Sequence, residues 1–260
     1  MRIGLITDNP GHPLLSAAAG LLRAAGHGVE LLDPGAPDTA AGEPADAYLL
    51  KAHTPQGLEL ALRLERLGAP VVNSAAATTL CQDRTLMAEL AVRAGLPFAE
   101  TRTVGALARW SAGVSLDSPV VVKSRHSRRA DLVALVDDTA HLGKLAHDWP
   151  DEPVVVQDFA PNSGWDHKLW AIGDRVFAAL RRSELSPEGR GPTLPLARIP
   201  DGWADLTRRV GEVYSLDVYG VDIIATADGS PLIVDVNAFP GIRDQPGAPQ
   251  ALADLALLRA

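Results

Sequence analysis

Three oxygen-bearing side chains lie inside two otherwise apolar runs near the C-terminal end of this 260-residue chain: Asp222 in YGVDIIA, and Asp235 and Asn237 in LIVDVNAFPG. Side chains at i and i+2 of a strand share a face, so Asp235 and Asn237 point the same way. Between the runs, Asp228-Gly229 is a hairpin signal that sets Asp222 on the neighbouring strand. Val221, Ile223, Val234 and Val236 are then expected to face the core. Unpaired carboxylates are costly to bury. Either the strands lie at a sheet edge with their acids in water, or a cation meets them. Oxygen-only donors, few in number, suit Mg²⁺ that also holds waters and phosphate oxygens.

Composition narrows the classes. Hydrophobic residues make up 47% and charged residues 22%, with mean hydropathy +0.05, a globular balance. The length fits one large domain or two to three small ones. No apolar run approaches the roughly 20 residues of a membrane span. The opening MRIGLITDNP enters a strand pattern with no charged-then-apolar leader, so the expected location is cytoplasmic, with no membrane partner. Cys81 is the only cysteine, which excludes an intrachain disulfide framework and a cysteine-rich zinc site. The net charge of −8 disfavours nucleic-acid binding through a global field but leaves room for a local basic pocket. The seven histidines show neither HExxH nor paired metal spacing, and Gly11 and Gly20 make no GxGxxG fingerprint.

Strand and helix patterns alternate at first. Arg2–Thr7, Val29–Leu32, Ala47–Leu50 and Pro70–Val72 read as strands, with helices over Ser16–Ala25 and Gly57–Leu67. This predicts an open parallel α/β unit. One long helix is expected over Thr78–Ala94, closed by Gly95-Leu96-Pro97. Strands follow at Val120–Val122, Leu132–Val136 and Val154–Phe159, with a short helix over His141–Ala146. Lys168–Ile172 and Arg175–Leu180 flank the turn Gly173-Asp174. Trp203–Tyr214 is helical, Tyr219–Ala225 and Pro231–Val236 form the acid-bearing hairpin, and Gln250–Leu258 is a terminal helix. Strand pairs dominate this later part, which reads as α+β.

Further candidates surround the acids. Lys123 ends the buried strand PVVVK and is placed to grip a phosphate as a point charge. Gln157, Asp158 and Phe159 end another strand, whose continuation offers backbone groups to a base edge. Arg181 and Arg182 close a hairpin strand on opposite faces, so one reaches a crevice and the other solvent. An inward arginine suits a transferring phosphoryl group. The stretch SRHSRRADLV carries Arg125, His126, Arg128 and Arg129 without a single glycine. That cluster either covers phosphates, binds an anionic acceptor, or is a solvated basic loop.

Taken in order, NS at 73–74, QDR at 82–84, PVVVK at 119–123, VVQDF at 155–159, GWDHKLWAIGDRV at 164–176, ALRRS at 179–183, YGVDII at 219–224 and VDVNAFPG at 234–241 resemble the ATP-grasp superfamily. The likeness covers about residues 47–250. It is nearest to the RimK-like branch of ribosomal-protein glutamate ligases. YLLKAHTP, CQDRTLM, ALRRSEL and DVNAFPGIRDQPG are also similar to the ATP-grasp inositol polyphosphate kinases.

The resemblance implies an α/β plus α+β architecture. An N-terminal open parallel α/β substrate domain (1–75) precedes a linker helix and small lid subdomain (76–157) and a C-terminal subdomain with the metal site (158–260). The cofactors it implies are ATP and Mg²⁺, two ions, with Mn²⁺ as a substitute. Asp222, Asp235 and Asn237 would hold the metal. Lys123 would grip the α/β-phosphates, and Gln157, Asp158 and Phe159 would frame the adenine. Asp166 and Lys168 would touch the nucleotide, and Arg84 stands where relatives have a phosphate lysine. Arg181 or Arg182 would stabilise the transferring phosphoryl. Lys51, His53, Arg125 and His126 would meet the substrate. After ALRRS the ligase branch commonly carries an Arg and Asn pair, where SPEGRGPTL offers only Arg190.

Three functions compete. One is a carboxylate–amine ligase using an acyl phosphate, with a small-molecule or peptide acceptor. Another is a kinase phosphorylating a hydroxyl of an anionic acceptor. The third is a nucleotide-binding module with little catalysis.

Overall fold

A computed structural model describes residues 1–36, 43–186, 189 and 191–260. Its strands form three sheets, each built from a consecutive stretch of chain.

The first sheet is parallel. It contains β1 (Arg2–Ile6), β2 (Gly28–Leu32), β3 (Ala47–Leu50) and β4 (Val71–Val72) in the order β2-β1-β3-β4. Helices α1 (Pro13–Ala24) and α2 (Pro55–Arg66) make the connections. Every residue of β3 is buried, as expected of a strand covered on both faces. The chain leaves β1 towards β2, then returns past β1 to β3 and β4. Strand order therefore reverses between β1 and β3, which opens a crevice at their carboxyl ends.

The expected long helix is two helices, α3 (Ala75–Gln82) and α4 (Arg84–Arg93). Asp83 between them is extended, and its carboxylate caps α4 by accepting from the Thr85 and Leu86 backbone N–H groups. An N-cap aspartate starts a helix, so it divides the apolar pattern that runs across it.

The second sheet is antiparallel. It contains β5 (Thr101–Ala106), β6 (Val120–Ser124), β7 (Val133–Val136) and β8 (Pro153–Asp158) in the order β5-β8-β6-β7. Helices α5 (Leu107–Ser111) and α6 (Thr139–Asp148) pack on it around Leu107, Val122, Leu142 and Val156. The sequence pattern did not announce β5. It is an edge strand with no buried residue and a bulge near Gly105, so its sequence, TRTVGA, carries little apolar signal.

The third sheet is antiparallel and holds the two hairpins. Its strands are β9 (Trp165–Ile172), β10 (Arg175–Arg182), β11 (Thr193–Pro195), β12 (Val218–Ala225) and β13 (Pro231–Ala238), in the order β11-β10-β9-β12-β13. β11 is wholly exposed and was likewise silent in the sequence. Helix α7 (Trp203–Tyr214) covers one face. A Cβ on Gly211 would collide with the ring of Tyr219, whose hydroxyl donates to the Thr207 carbonyl at 2.9 Å. Only glycine permits that approach.

Two devices join the first and third sheets. The terminal helix α8 (Ala248–Arg259) returns to α1 and buries Leu252, Ala256 and Phe239 with Leu15 and Leu22. Asn73, 1% exposed, donates to the Val218 carbonyl at 2.7 Å and accepts from the Asp217 and Val218 N–H groups at 2.8 and 3.0 Å. Among the described residues no helix is long and apolar enough to cross a membrane.

Asn73→Ala removes three hydrogen bonds, two of them buried and one partly buried, and strands their backbone partners. We expect a loss of about 2–4 kcal/mol in urea unfolding. A midpoint equal to wild type would show that the joint carries no stability.

Candidate functional site

The acid-bearing hairpin comes first. Asp222 pairs in register with Asp235, and Gly220 with Asn237. A bulge follows, because Ile223 lies opposite Ile233 rather than Val234. Val234 is the extra residue. It was expected in the core with Val221, Ile223 and Val236, which are fully buried, but it is half-buried and lines the same cavity as the acids. The inserted residue breaks the strict alternation that the sequence reading assumed. Its carbonyl accepts a 2.7 Å hydrogen bond from Lys123 Nζ.

Cations already attend both carboxylates. Lys168 sits opposite Asp222 on β9, and its ammonium lies 2.6 Å from Asp222 and 3.3 Å from Asp166. Arg84, 6% exposed at the start of α4, reaches Asp235 at 3.1 Å, Asp131 at 2.7 Å and the Ser124 carbonyl at 2.8 Å. Its Nε is buried without a partner among the described residues. Burial drives the Lys123 ammonium down to about 8, against the opposing pull of Asp235. Burial pushes the Asp235 carboxyl up, yet Arg84 and Lys123 outweigh it and hold the group below the usual carboxylate range.

These residues line a cavity of about 400 Å³ between the second and third sheets. One end is polar, with Lys123, Lys168, Asp222, Asp235 and Asn237; Val121, Ile224 and Leu232 supply apolar wall. Among the described residues no three His, Cys, Asp or Glu side chains cluster as a metal site; beside the two carboxylates the cavity lining offers the Asn237 amide. Two carboxylates and an amide on adjacent strands fit a hard divalent cation. Such an ion would compete with Lys168 and Arg84 for the same oxygens.

The remaining candidates divide. Phe159 lines the cavity, and its N–H is already donated to Pro119 at 3.2 Å. Gln157 is buried and donates to the Thr101 hydroxyl at 3.0 Å. Asp158 borders the cavity, but its carboxylate pairs with exposed Arg102 at 2.7 Å. Arg181 faces the cavity beside Glu184 at 3.7 Å, whereas Arg182 lies over the Trp165 ring at 5.4 Å. Arg190 falls outside the described residues.

The glycine-free loop after Lys123 is zipped to the joint between α3 and α4. Arg84 N–H donates to the Arg125 carbonyl at 2.9 Å, and Ser127 N–H to the Gln82 carbonyl at 2.8 Å. Arg125 grips Asp83 through Nε and Nη2, at 3.1 and 2.8 Å, and His126 lies 4.0 Å from the same carboxylate. Arg125 and His126, expected at the substrate, therefore sit outside the lining of the cavities, because Asp83 draws both towards the joint. Arg128 makes a two-pronged pair with Glu152 at 2.7 Å.

A second cavity of about 420 Å³ holds Lys51 and His53. It shares Ser127, Arg128 and Asn237 with the first. Burial, aided by Lys51, lowers His53 to about 4, so the imidazole is neutral near pH 7. Asp131, Asp8 and the Val234 carbonyl were missed. Asp8 follows β1 as Lys51 follows β3, but their proximity depends on a strand order that the sequence does not spell out.

The RimK-like ATP-grasp domain matches residues 82–248, more than half of the chain, and the chain belongs to that family. Beta-citrylglutamate synthase B of Danio rerio is 28% identical over 192 residues, covering 68% of this chain and 47% of that protein. A probable alpha-L-glutamate ligase of Mannheimia succiniciproducens is 27% identical over 198 residues, covering 73% and 66%. The chain thus spans about half to two thirds of the length of these relatives. The crystal structure of a RimK domain ATP-grasp protein from Sphaerobacter thermophilus superposes with a TM-score of 0.78 at 24% identity, covering 98% of this chain and 99% of that one. The fold is ATP-grasp, with the mixed parallel and antiparallel sheets expected.

Cys81 is buried on α3, and burial, with Asp235 nearby, pushes its thiol up to about 12. A disulfide reagent at about pH 8 should label it slowly in the native protein and rapidly in urea, since the thiolate is the reactive species. Equal rates would show that the thiol is accessible in the fold.

Proposed function

We propose that the protein is an ATP- and Mg²⁺-dependent carboxylate–amine ligase. The observation that carries this reading is the polar end of the first cavity. There Asp222, Asp235 and Asn237 converge with Lys123, Lys168 and Arg181, and the opening continues into a second basic cavity. Membership of a family whose matched relatives are named as glutamate ligases and synthases supports the same chemistry.

Residues 158–260 and the lid residues 76–157 clasp ATP, and residues 1–75 complete the acceptor side. Phe159 and the apolar wall take the adenine, beside Gln157 and Asp158. Lys123 holds the α/β-phosphates, with Asp166, Lys168 and Arg84 ordering charge around them. Asp222, Asp235 and Asn237 would hold two Mg²⁺ ions, replaceable by Mn²⁺, which when bound would supply positive charge to the phosphoryl oxygens. Arg181 orients the γ-phosphoryl.

An acceptor carboxylate oxygen attacks the γ-phosphorus and the bond to ADP breaks. The amine nitrogen then attacks the acyl carbon, phosphate leaves with the C–O bonding pair, and the nitrogen loses a proton. Alignment of the two reactants supplies much of the rate. The acceptor is a small molecule or peptide, and the reaction is cytoplasmic.

Hydroxylamine in place of the amine tests this directly. With Mg·ATP and pooled carboxylic acids, hydroxamate and ADP should form together. A stable phosphoester instead would make the protein a kinase, and ATP binding with no turnover would make it a nucleotide-binding module.

Asp235→Asn should lower turnover by at least about 100-fold in a folded protein. Near-normal turnover would remove the metal assignment. Lys123→Ala should weaken ATP about tenfold to a hundredfold, the worth of a charge-assisted hydrogen bond. Unchanged affinity in calorimetry would remove its role.

A further inference from the structure

Arg84 bridges two carboxylates of the first cavity, and its bonds to them are unequal. Nη1 donates to Asp131 at 2.7 Å and to the Ser124 carbonyl at 2.8 Å, whereas Nη2 reaches Asp235 at 3.1 Å. Nε is buried with no partner among the described residues. The shorter contact therefore goes to Asp131, which stands outside the group of candidate metal ligands. Arginine can be shared in this way because its donors form a planar fork, where an ammonium is a single point of charge.

Asp131 is held firmly in that place. Leu132, the next residue, is tied to Ser124 in both directions: its N–H donates to Ser124 Oγ at 3.0 Å, and its carbonyl accepts from the Ser124 N–H at 2.8 Å. The Asp131 N–H donates to the Arg128 carbonyl at 3.3 Å. Ala130, one residue before, has a φ of 58°, a left-handed conformation that residues with a side chain rarely adopt. Such a conformation persists only where the surroundings over-determine it. The turn it makes leads into Asp131 at the lining of the first cavity.

Asp235 feels this sharing. Lys123 donates to the Val234 carbonyl, and Lys168 pairs with Asp222 and Asp166. Among the described residues Arg84 is the ion-pair partner of Asp235. A divalent cation that takes the Asp235 oxygens has to displace or tolerate this guanidinium, so the grip of Arg84 on Asp235 sets the cost of its entry. With Asp131 neutral, Arg84 loses its nearer anion. Its idle Nε and its released Nη1 can then turn to Asp235 as well.

We propose that Asp131 is a positioning residue that sets the affinity of Asp222, Asp235 and Asn237 for a divalent cation, by holding Arg84 partly off Asp235. This role rests on the metal assignment of the proposed function but not on which reaction follows. A carboxylate near a cation site also favours the cation by its field alone. The field acts whether or not Arg84 is there, whereas sharing needs the guanidinium, so a double-mutant cycle tells them apart.

Mn²⁺ binding without nucleotide, followed by the electron paramagnetic resonance of the free ion, reads the site directly. Asp131→Asn, which keeps size and shape, should weaken Mn²⁺ at least about fivefold, and Asp131→Glu should restore most of the affinity. Arg84→Gln should tighten Mn²⁺ by a similar factor, and adding Asp131→Asn to it should change the affinity less than about twofold. Unchanged affinity in Asp131→Asn, or the same loss with and without Arg84, overturns the proposal. A crystal structure of Asp131→Asn decides the matter without any Arg84 variant. It should show Arg84 closed on Asp235 through two nitrogens, and a guanidinium left in its wild-type place overturns the proposal. Mn²⁺ bound by wild type, lost in Asp235→Asn but untouched by Asp131→Asn, upholds the metal assignment and sinks the role of Asp131 alone. No Mn²⁺ bound by wild type overturns both.

Discussion

The structure turns on how charge is balanced between two neighbouring strands and their surroundings. Asp222 and Asp235 are held side by side by strand register, and an arrangement of that kind is tolerable only when positive charge is fixed nearby. Lys168 comes from the adjacent strand, Arg84 from a helix start and Lys123 from the second sheet. Each cation belongs to a different element, so the packing of those elements and the ionic balance of the cavity depend on one another. Arg84 shows this most clearly, since one guanidinium bonds the 124–131 loop through Asp131 and Ser124 and the third sheet through Asp235.

Much of this was legible from the residues. Apolar runs interrupted by acids, and aspartate–glycine turns between them, marked the hairpin and set its partners. Clean hydrophobic strands such as Ala47–Leu50 and helices with strong amphipathic pattern such as Trp203–Tyr214 were located to the residue. What escaped were features whose cause is not local. The edge strands β5 and β11 contribute backbone rather than apolar surface, so their sequences look like loop. The bulge at Val234 lies between the Asp222–Asp235 and Ile223–Ile233 pairs, and no pattern within one strand predicts it.

The same distinction applies to the site. Lys123 could be picked out because it ends a buried strand, whereas Asp166 and Lys168 were marked by the family resemblance of the GWDHKLW motif. Arg125 and His126 were chosen for charge alone, and charge does not say which way a loop is tied. Asp83 decides that, and its double role as helix cap and arginine partner emerges only when the joint and the loop are seen together. Of the four basic groups in that loop, only Arg129 is left without a partner among the described residues. Composition could not rank them.

Fastening of the loop to the joint between α3 and α4 bears on which parts of the chain can move together. Paired backbone amides, the Asp83–Arg125 fork and the Arg84–Asp131 pair hold the loop at both flanks. Fraying it alone would break all of these at once. Because α4 is itself packed into the core of the third sheet through Met87 and Ala91, with the Tyr214 hydroxyl donated to the Met87 carbonyl, the loop is anchored to the acid-bearing sheet rather than left to move by itself.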